Sequence, residues 1–200
     1  MSASSGDPAG RRAGRPGGAE VEIKLPAPDL GAVRGRLRES GARLVTPRHF
    51  ESNDLYDDSE GSIAKRGCTL RLRRTPDGAI LTFKGPAQFS AGIKSREERE
   101  TEVADPDELV RILSGLGYRP RFRYEKQREE WSLERCVIAL DETPIGTFVE
   151  IEGDPTAIRA VIPRLGLDPA DAIPYSYANL YARRRGEDPS LPPDMLLEKP

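Results

Sequence analysis

The chain has 200 residues, room for one ordinary domain with a sizeable core. Charged residues make up 32% of it, yet 31 Lys and Arg against 33 Asp and Glu leave a formal net charge of only -2. A dedicated nucleic-acid binder would carry a basic excess, and no run of about 18 apolar residues or secretory apolar core is present, so neither nucleic acid nor membrane is an expected partner.

Residues 1–18, MSASSGDPAGRRAGRPGG, mix Gly, Ser, Pro and Arg without periodicity and read as a disordered tail. Residues 19–185 read as a single domain. Its first segment, AEVEIKL, alternates Glu20, Glu22 and Lys24 with Val21, Ile23 and Leu25, so one face of the strand is charged and the other apolar. Asp29 then opens a helix with Leu30, Val33 and Leu37 at helical spacing and Gly41 as its stop. The next strand, ESNDLYDD, follows the sole histidine, His49; nothing catalytic is expected of this strand, and a lone His reads as packing or solvent-facing.

The charged-against-apolar split recurs down the chain. Arg71 and Arg73 oppose Leu70 and Leu72; Lys84 opposes Leu81 and Phe83; Arg96, Glu98, Glu100 and Glu102 share a face. Asp105-Pro106 opens a second helix carrying Leu109, Ile112, Leu113 and Leu116, with Gly117 as stop. Lys126 and Arg128 share the next charged face, with Phe122, Tyr124 and Trp131 read as packing or barrel-end residues, and Glu150 and Glu152 oppose Val149 and Ile151. Asp154-Pro155 opens a third helix through Ile158, Val161 and Ile162, and a last short one is expected from Tyr175 to Arg185. Residues 186–200 are a Pro-rich C-terminal tail, with docking of Met195, Leu196 and Leu197 on the body left open. Cys68 and Cys136 lie in apolar-alternating runs and read as free thiols of a reducing, cytoplasmic compartment.

Any half-exposed antiparallel sheet shows such alternation with its charges in water. Here, however, charges of one sign repeat at i and i+2, as in Glu20 and Glu22, Arg71 and Arg73, Glu150 and Glu152, and like charges so placed repel unless a counter-charge sits between them. Apolar faces packed outward on the three amphipathic helices would turn the charges inward and line a closed barrel with acid and base. Carboxylates there would offer the hard oxygen ligands that Mg²⁺ or Mn²⁺ takes, and Arg and Lys rows would hold phosphate oxygens.

Glu20-Val-Glu22-Ile-Lys24 resembles the ExExK signature of the CYTH superfamily, the triphosphate tunnel metalloenzymes, which include class IV adenylate cyclases, thiamine triphosphatases and inorganic triphosphatases. The resemblance continues in order through LRLRR at 70–74, TFKGP at 82–86, KSREERETEV at 94–103, EKQREEW at 125–131, ALDETPIGTFVEIEG at 139–153 and YSYANLY at 175–181. It implies an α+β fold: an eight-stranded closed antiparallel β-barrel, the tunnel, with helices packed outside. It also implies a site. Glu20, Glu22, Glu98, Glu100, Asp141, Glu150 and Glu152 are the expected metal ligands or positioners of metal-bound water, with Glu102 a candidate rim residue and Asp141 alternatively a turn residue. Arg71, Arg73, Lys84, Lys126 and Arg128 match the rows that grip the triphosphate. Lys24, Glu150 and Glu152 are the catalytic candidates, Lys24 also contacting phosphate.

The expected activity is divalent-metal-dependent hydrolysis of a triphosphate: inorganic tripolyphosphate, ATP or thiamine triphosphate. Cyclisation of ATP to cyclic AMP and pyrophosphate is the alternative, and SREExETxV followed by a helix and KxR is closer to the cyclase-named bacterial and archaeal branch. A non-catalytic polyanion-binding module is the third reading, although it would gain nothing from the acidic rows. A monomer or homodimer is expected.

Overall fold

The computed structural model describes residues 19–198, so the expected N-terminal tail lies outside the described residues. In chain order the elements are β1 (Ala19–Pro26), α1 (Leu30–Glu39), β2 (Arg43–Asp57), α2 (Ser62–Lys65), β3 (Thr69–Thr75), β4 (Gly78–Lys84), β5 (Gln88–Ser90) and β6 (Ile93–Val103). They continue with α3 (Pro106–Gly115), β7 (Arg119–Leu133), β8 (Cys136–Thr143), β9 (Gly146–Glu152), α4 (Pro155–Arg164), a 3-10 turn (Pro169–Asp171) and α5 (Tyr177–Glu187).

The expected helix starts form for the expected reason. Each Asp side chain accepts from a first-turn amide: Asp29 from Ala32, Asp105 from Asp107 and Glu108, Asp154 from Thr156, which satisfies donors with no partner inside the helix. The last helix starts two residues later than the sequence suggests, because the Ser176 hydroxyl caps it by accepting from the Asn179 amide.

The sheet runs β1-β9-β8-β7-β2-β3-β4-β6, and β6 pairs back to β1, which closes an antiparallel barrel of eight strands; β5 adds to the edge of β6. Strands β2 and β7, 15 residues each, form the longest ladder, with register shifts between Leu44 and Thr46, Thr46 and His49, and Leu55 and Tyr56. Such irregularities add the local bending that closure of a barrel needs.

The apolar faces look outward. Ile23, Leu25, Ile138, Leu140, Val149 and Ile151 pack under Leu30, Val33 and Leu37 of α1 and Ile158, Val161 and Ile162 of α4. Burying each such side chain contributes about 1.5–3 kcal/mol, so this layer dominates the fold's stability. A second layer seats Leu109 and Leu113 of α3 on Tyr56, Leu72 and Ala79. Gly153 shows how closely the chain is packed: an added Cβ would stand 2.8 Å from the Arg135 carbonyl and 2.9 Å from Cys136 Sγ.

The third cluster has a different position. Tyr124 and Phe148 lie on the inner faces of their strands, and Tyr177 and Tyr181 of α5 pack on them together with Met195. The docking question for the C-terminal segment is answered here. Met195 is fully buried, donates its amide to the Arg123 carbonyl and accepts at its own carbonyl from the Glu125 amide, so the segment adds to β7. Trp131, by contrast, packs in the outer layer, with its indole N–H given to Glu129.

Candidate functional site

Directly paired strand residues share a face, so the register states which side chains meet inside the barrel. Going round, Glu22 stands opposite Glu152 and Lys94, Lys24 opposite Glu150, and Glu20 opposite Arg96. Lys84 faces Glu98, and Thr82 faces both Glu100 and Arg71. Arg73 faces Asn53, which also faces Tyr124; Glu51 faces Lys126; Arg128 faces Asp141 and His49. Every site residue expected from the sequence therefore lies on the inner face, and Lys24, Arg73, Lys84, Lys126, Arg128 and Asp141 are buried there. The charges are inside the barrel, not on a solvated face.

On one wall, Lys84 Nζ lies 2.8 Å from Glu20 Oε1 and 3.0 Å from Glu98, Arg96 Nε donates to Glu20 at 3.0 Å, and Lys94 donates to Glu22 at 2.7 Å. Burial acts to raise the Glu20 carboxyl, but Lys84 and Arg96 outweigh it and hold Glu20 well below the usual carboxylate range. Glu98 goes the other way: burial, with Glu20 alongside, pushes it up to about 7 despite Lys84. Glu100 accepts from Thr82 at 2.7 Å and lies 3.5 Å from Arg71. Glu102, at the strand end, is exposed and belongs to the rim.

On the opposite wall, Asp141 accepts from Lys126 at 3.0 Å, from Arg128 at 2.7 and 2.6 Å, and from the Tyr177 hydroxyl at 2.7 Å. It is wholly buried, and the β8–β9 turn that follows is held by Thr143, so Asp141 is a lumen residue and not a turn residue. Glu150 is bound by Arg128 and lies 3.3 Å from Lys24. Lys24 Nζ also donates to the Tyr175 carbonyl at 3.0 Å and sits 3.7 Å over the Tyr177 ring. Burial lowers the Lys24 pKa against the pull of Glu150 and Glu22. For Glu150 the balance reverses: burial would raise it, but Lys24 and Arg128 hold it well below the usual range.

Sequence reading missed several lumen residues. Lys94 and Arg96 continue the alternation of β6 toward its start and add two cations beside the acidic rows. Strand β2, of which the sequence leads one to expect nothing catalytic, contributes Glu51 and Asn53, both buried. Glu51 lies 3.5 Å from Arg73 and from His49 and 3.4 Å from Lys126. His49 thus faces the lumen with its Nδ1 at 2.9 Å from the Pro47 carbonyl, and the Glu51 hydrogen bond raises its pKa. The spacing His49, Glu51, Asn53 was the available signal. Tyr177 reaches the site from α5, a placement only the tertiary fold reveals.

Among the described residues, no three His, Cys, Asp or Glu side chains gather on one point in this geometry. The donor chemistry nevertheless fits a hard divalent cation. Glu20 and Glu98 converge on the Lys84 ammonium, with Arg96 as the further cation on Glu20, so two carboxylates from adjacent strands offer hard oxygen donors side by side.

The CYTH domain model matches residues 18–162. A relative from Methanocaldococcus jannaschii, named "Putative adenylate cyclase", is 26% identical over 134 residues, which are 66% of this chain and 75% of that protein. A solved protein from Pyrococcus horikoshii superposes with a TM-score of 0.69 at 26% identity, covering 83% of this chain and 99% of the other. The adenylyl cyclase homologue of Hippeastrum, described as having a dominant triphosphatase activity, shares the fold with a TM-score of 0.62 at 20% identity, over 88% of this chain and 99% of its own. The family model spans well over half of this chain, with the lumen residues of β1, β3, β4 and β6 to β9 inside the match, and the chain belongs to the CYTH domain family.

Proposed function

We propose that the chain hydrolyses a triphosphate in the barrel with the help of a divalent cation. One observation carries this reading: basic side chains from β3, β4 and β7 and carboxylates from β1, β6 and β9 share one enclosed inner face. Arg71, Arg73, Lys84, Lys126 and Arg128 would hold the phosphate chain through charge-assisted bonds in a setting that excludes water. Glu20, Glu22 and Glu98, with Glu100 and Glu152 beside them, would hold Mg²⁺ or Mn²⁺. When bound, that ion supplies charge neutralisation at the phosphate oxygens. Asp141 fixes the direction of Lys126 and Arg128, since its oxygens accept from both. Glu150, an ionised acceptor 3.3 Å from Lys24, would orient the attacking water, and the buried Lys24 ammonium would orient the phosphate next to it. A pure polyanion binder would gain nothing from carboxylates that repel phosphate.

Cyclisation of ATP is the second reading, favoured by the name of the Methanocaldococcus relative, whereas the Hippeastrum homologue favours hydrolysis. Both use the same binding walls and differ in the nucleophile. The test is to incubate the purified chain and Mg²⁺ or Mn²⁺ with ATP, tripolyphosphate and thiamine triphosphate and identify the products. Phosphate release abolished by chelator and by Glu150→Gln is expected. Cyclic AMP with pyrophosphate would replace hydrolysis by cyclisation, and no turnover of any of the three would leave only binding.

A further inference from the structure

Buried polar atoms without a hydrogen-bond partner are costly and uncommon. Among the described residues, the side-chain atoms in this condition gather in one place: Glu51 Oε2, Asn53 Nδ2 and Oδ1, Arg71 Nε and Arg73 Nε. They belong to adjacent strands, with Asn53 of β2 paired to Arg73 of β3 and Glu51 two residues away on the same face. Asn53 is 0% exposed and Glu51 2%.

The patch asks for a ligand of mixed character. Arg71 Nε, Arg73 Nε and Asn53 Nδ2 are donors, and phosphate oxygens answer them. Asn53 Oδ1 is an acceptor and needs a hydrogen that an ionised inorganic polyphosphate does not carry, whereas Glu51 Oε2 lies 3.4 Å from the Lys126 ammonium and already has its counter-charge. A neutral amide on a cationic wall adds no charge to phosphate binding, so both ends of Asn53 are satisfied together only by a ligand that accepts and donates. We propose that Asn53 is a specificity-determining residue that reads a hydroxyl or amino hydrogen on the organic part of the substrate, so that the lumen favours a triphosphate ester over tripolyphosphate. The inference rests on the triphosphate reading of the lumen and fails separately from it. A site built to hydrogen-bond a substrate hydroxyl or amine discriminates against the analogue that lacks it, because its own buried groups are then left unpaired.

The experiment measures binding of ATP and of tripolyphosphate, each with Mg²⁺, by calorimetric titration, with thermal melts of the ligand-free proteins alongside. The parent chain should bind ATP at least about tenfold more tightly than tripolyphosphate, although tripolyphosphate is the more highly charged. Asn53→Leu, similar in shape but without donor or acceptor, should lose most of that preference, change tripolyphosphate affinity less than about threefold, and melt no lower than the parent. A purely structural Asn53 would instead lower the melting temperature and weaken both ligands alike. Asn53→Ala is the second variant, expected to reduce the ATP preference while it spares tripolyphosphate, and it decides the matter if Asn53→Leu does not fold. Equal affinity of the parent for the two ligands, or a preference that survives in the variants, overturns the inference and leaves the lumen reading standing. Binding of neither ligand overturns both.

Discussion

Two lumen cations of the same formal charge stand in different electrostatic company, and the difference predicts which substitution harms the fold and which harms the site. Lys126 has a side chain only 3% exposed, 3.0 Å from Asp141 and 3.4 Å from Glu51. Removing it leaves two buried carboxylates short of a counter-charge, which costs on the order of 3 kcal/mol. Arg71 faces Glu100 at 3.5 Å, a carboxylate with a side chain 31% exposed that can turn to solvent, and its own Nε has no partner. Lys126→Met is therefore expected to lower the urea denaturation midpoint strongly. Arg71→Ala should leave the midpoint nearly unchanged while it weakens triphosphate binding by about 1.5–3 kcal/mol, the range for a hydrogen bond to a charged group. Equal losses of stability in the two variants would mean that the rows are uniform scaffolding. The sequence made both residues legible as lumen cations through their alternation. It did not show this difference, because which acid lies beside which base depends on strand order around the barrel.

Among the elements, local signals carried furthest. The Asp-Pro starts of α3 and α4 and the Asp29 cap of α1 are readable because a capping carboxylate and the amide that donates to it lie within three residues. Four-residue α2, whose preceding Gly61 has a φ of 69°, and three-residue β5 offer no period long enough to detect. The C-terminal segment was undecided for another reason. Its hold on β7 is a contact across some 70 residues of chain, the Met195 amide to Arg123 and Leu197 to Glu125, with the Tyr181 hydroxyl given to the Pro192 and Asp194 carbonyls. Burial of Met195 against Tyr124 and Tyr181 makes this segment a working part of the domain. Met195→Ala should cost about 2–5 kcal/mol, as large-to-small core changes do, read as a shift in the denaturation midpoint. A midpoint within error of the parent would show that the segment is not seated in solution.

At the scale of the molecule, the inference from like charges at i and i+2 to a lumen holds for a physical reason. Glu20 and Glu22 tolerate each other because Lys84, Arg96 and Lys94 stand between and beside them, which a strand facing water would not provide. The same neutralisation changes what binding must do. In the ligand-free barrel the cations are already bonded to carboxylates: Lys84 to Glu20 and Glu98, Lys24 to Glu150, Lys126 and Arg128 to Asp141. A triphosphate alone has to displace these acids and strand them without counter-charge, and a divalent cation alone has to displace the bases. Each therefore gains little. When both enter, Glu20 and Glu98 turn to the metal and Lys84 to the phosphates, while Asp141 keeps its hold on Lys126 and Arg128, so no charge is left bare, and the two affinities are coupled. The expected thermal melts follow. Mg²⁺ alone and tripolyphosphate alone should each raise the melting temperature slightly. The pair, at about a hundredfold excess over its dissociation constant, should add about 2.7 kcal/mol, or several degrees for a domain of this size, well beyond the sum of the single shifts. Sulfate at matched ionic strength should do little, since it cannot span several rows. Shifts that merely add, or an equal shift from sulfate, would show that the acidic and basic rows act independently, and the lumen would then lack the linkage between metal and phosphate on which the proposed chemistry depends.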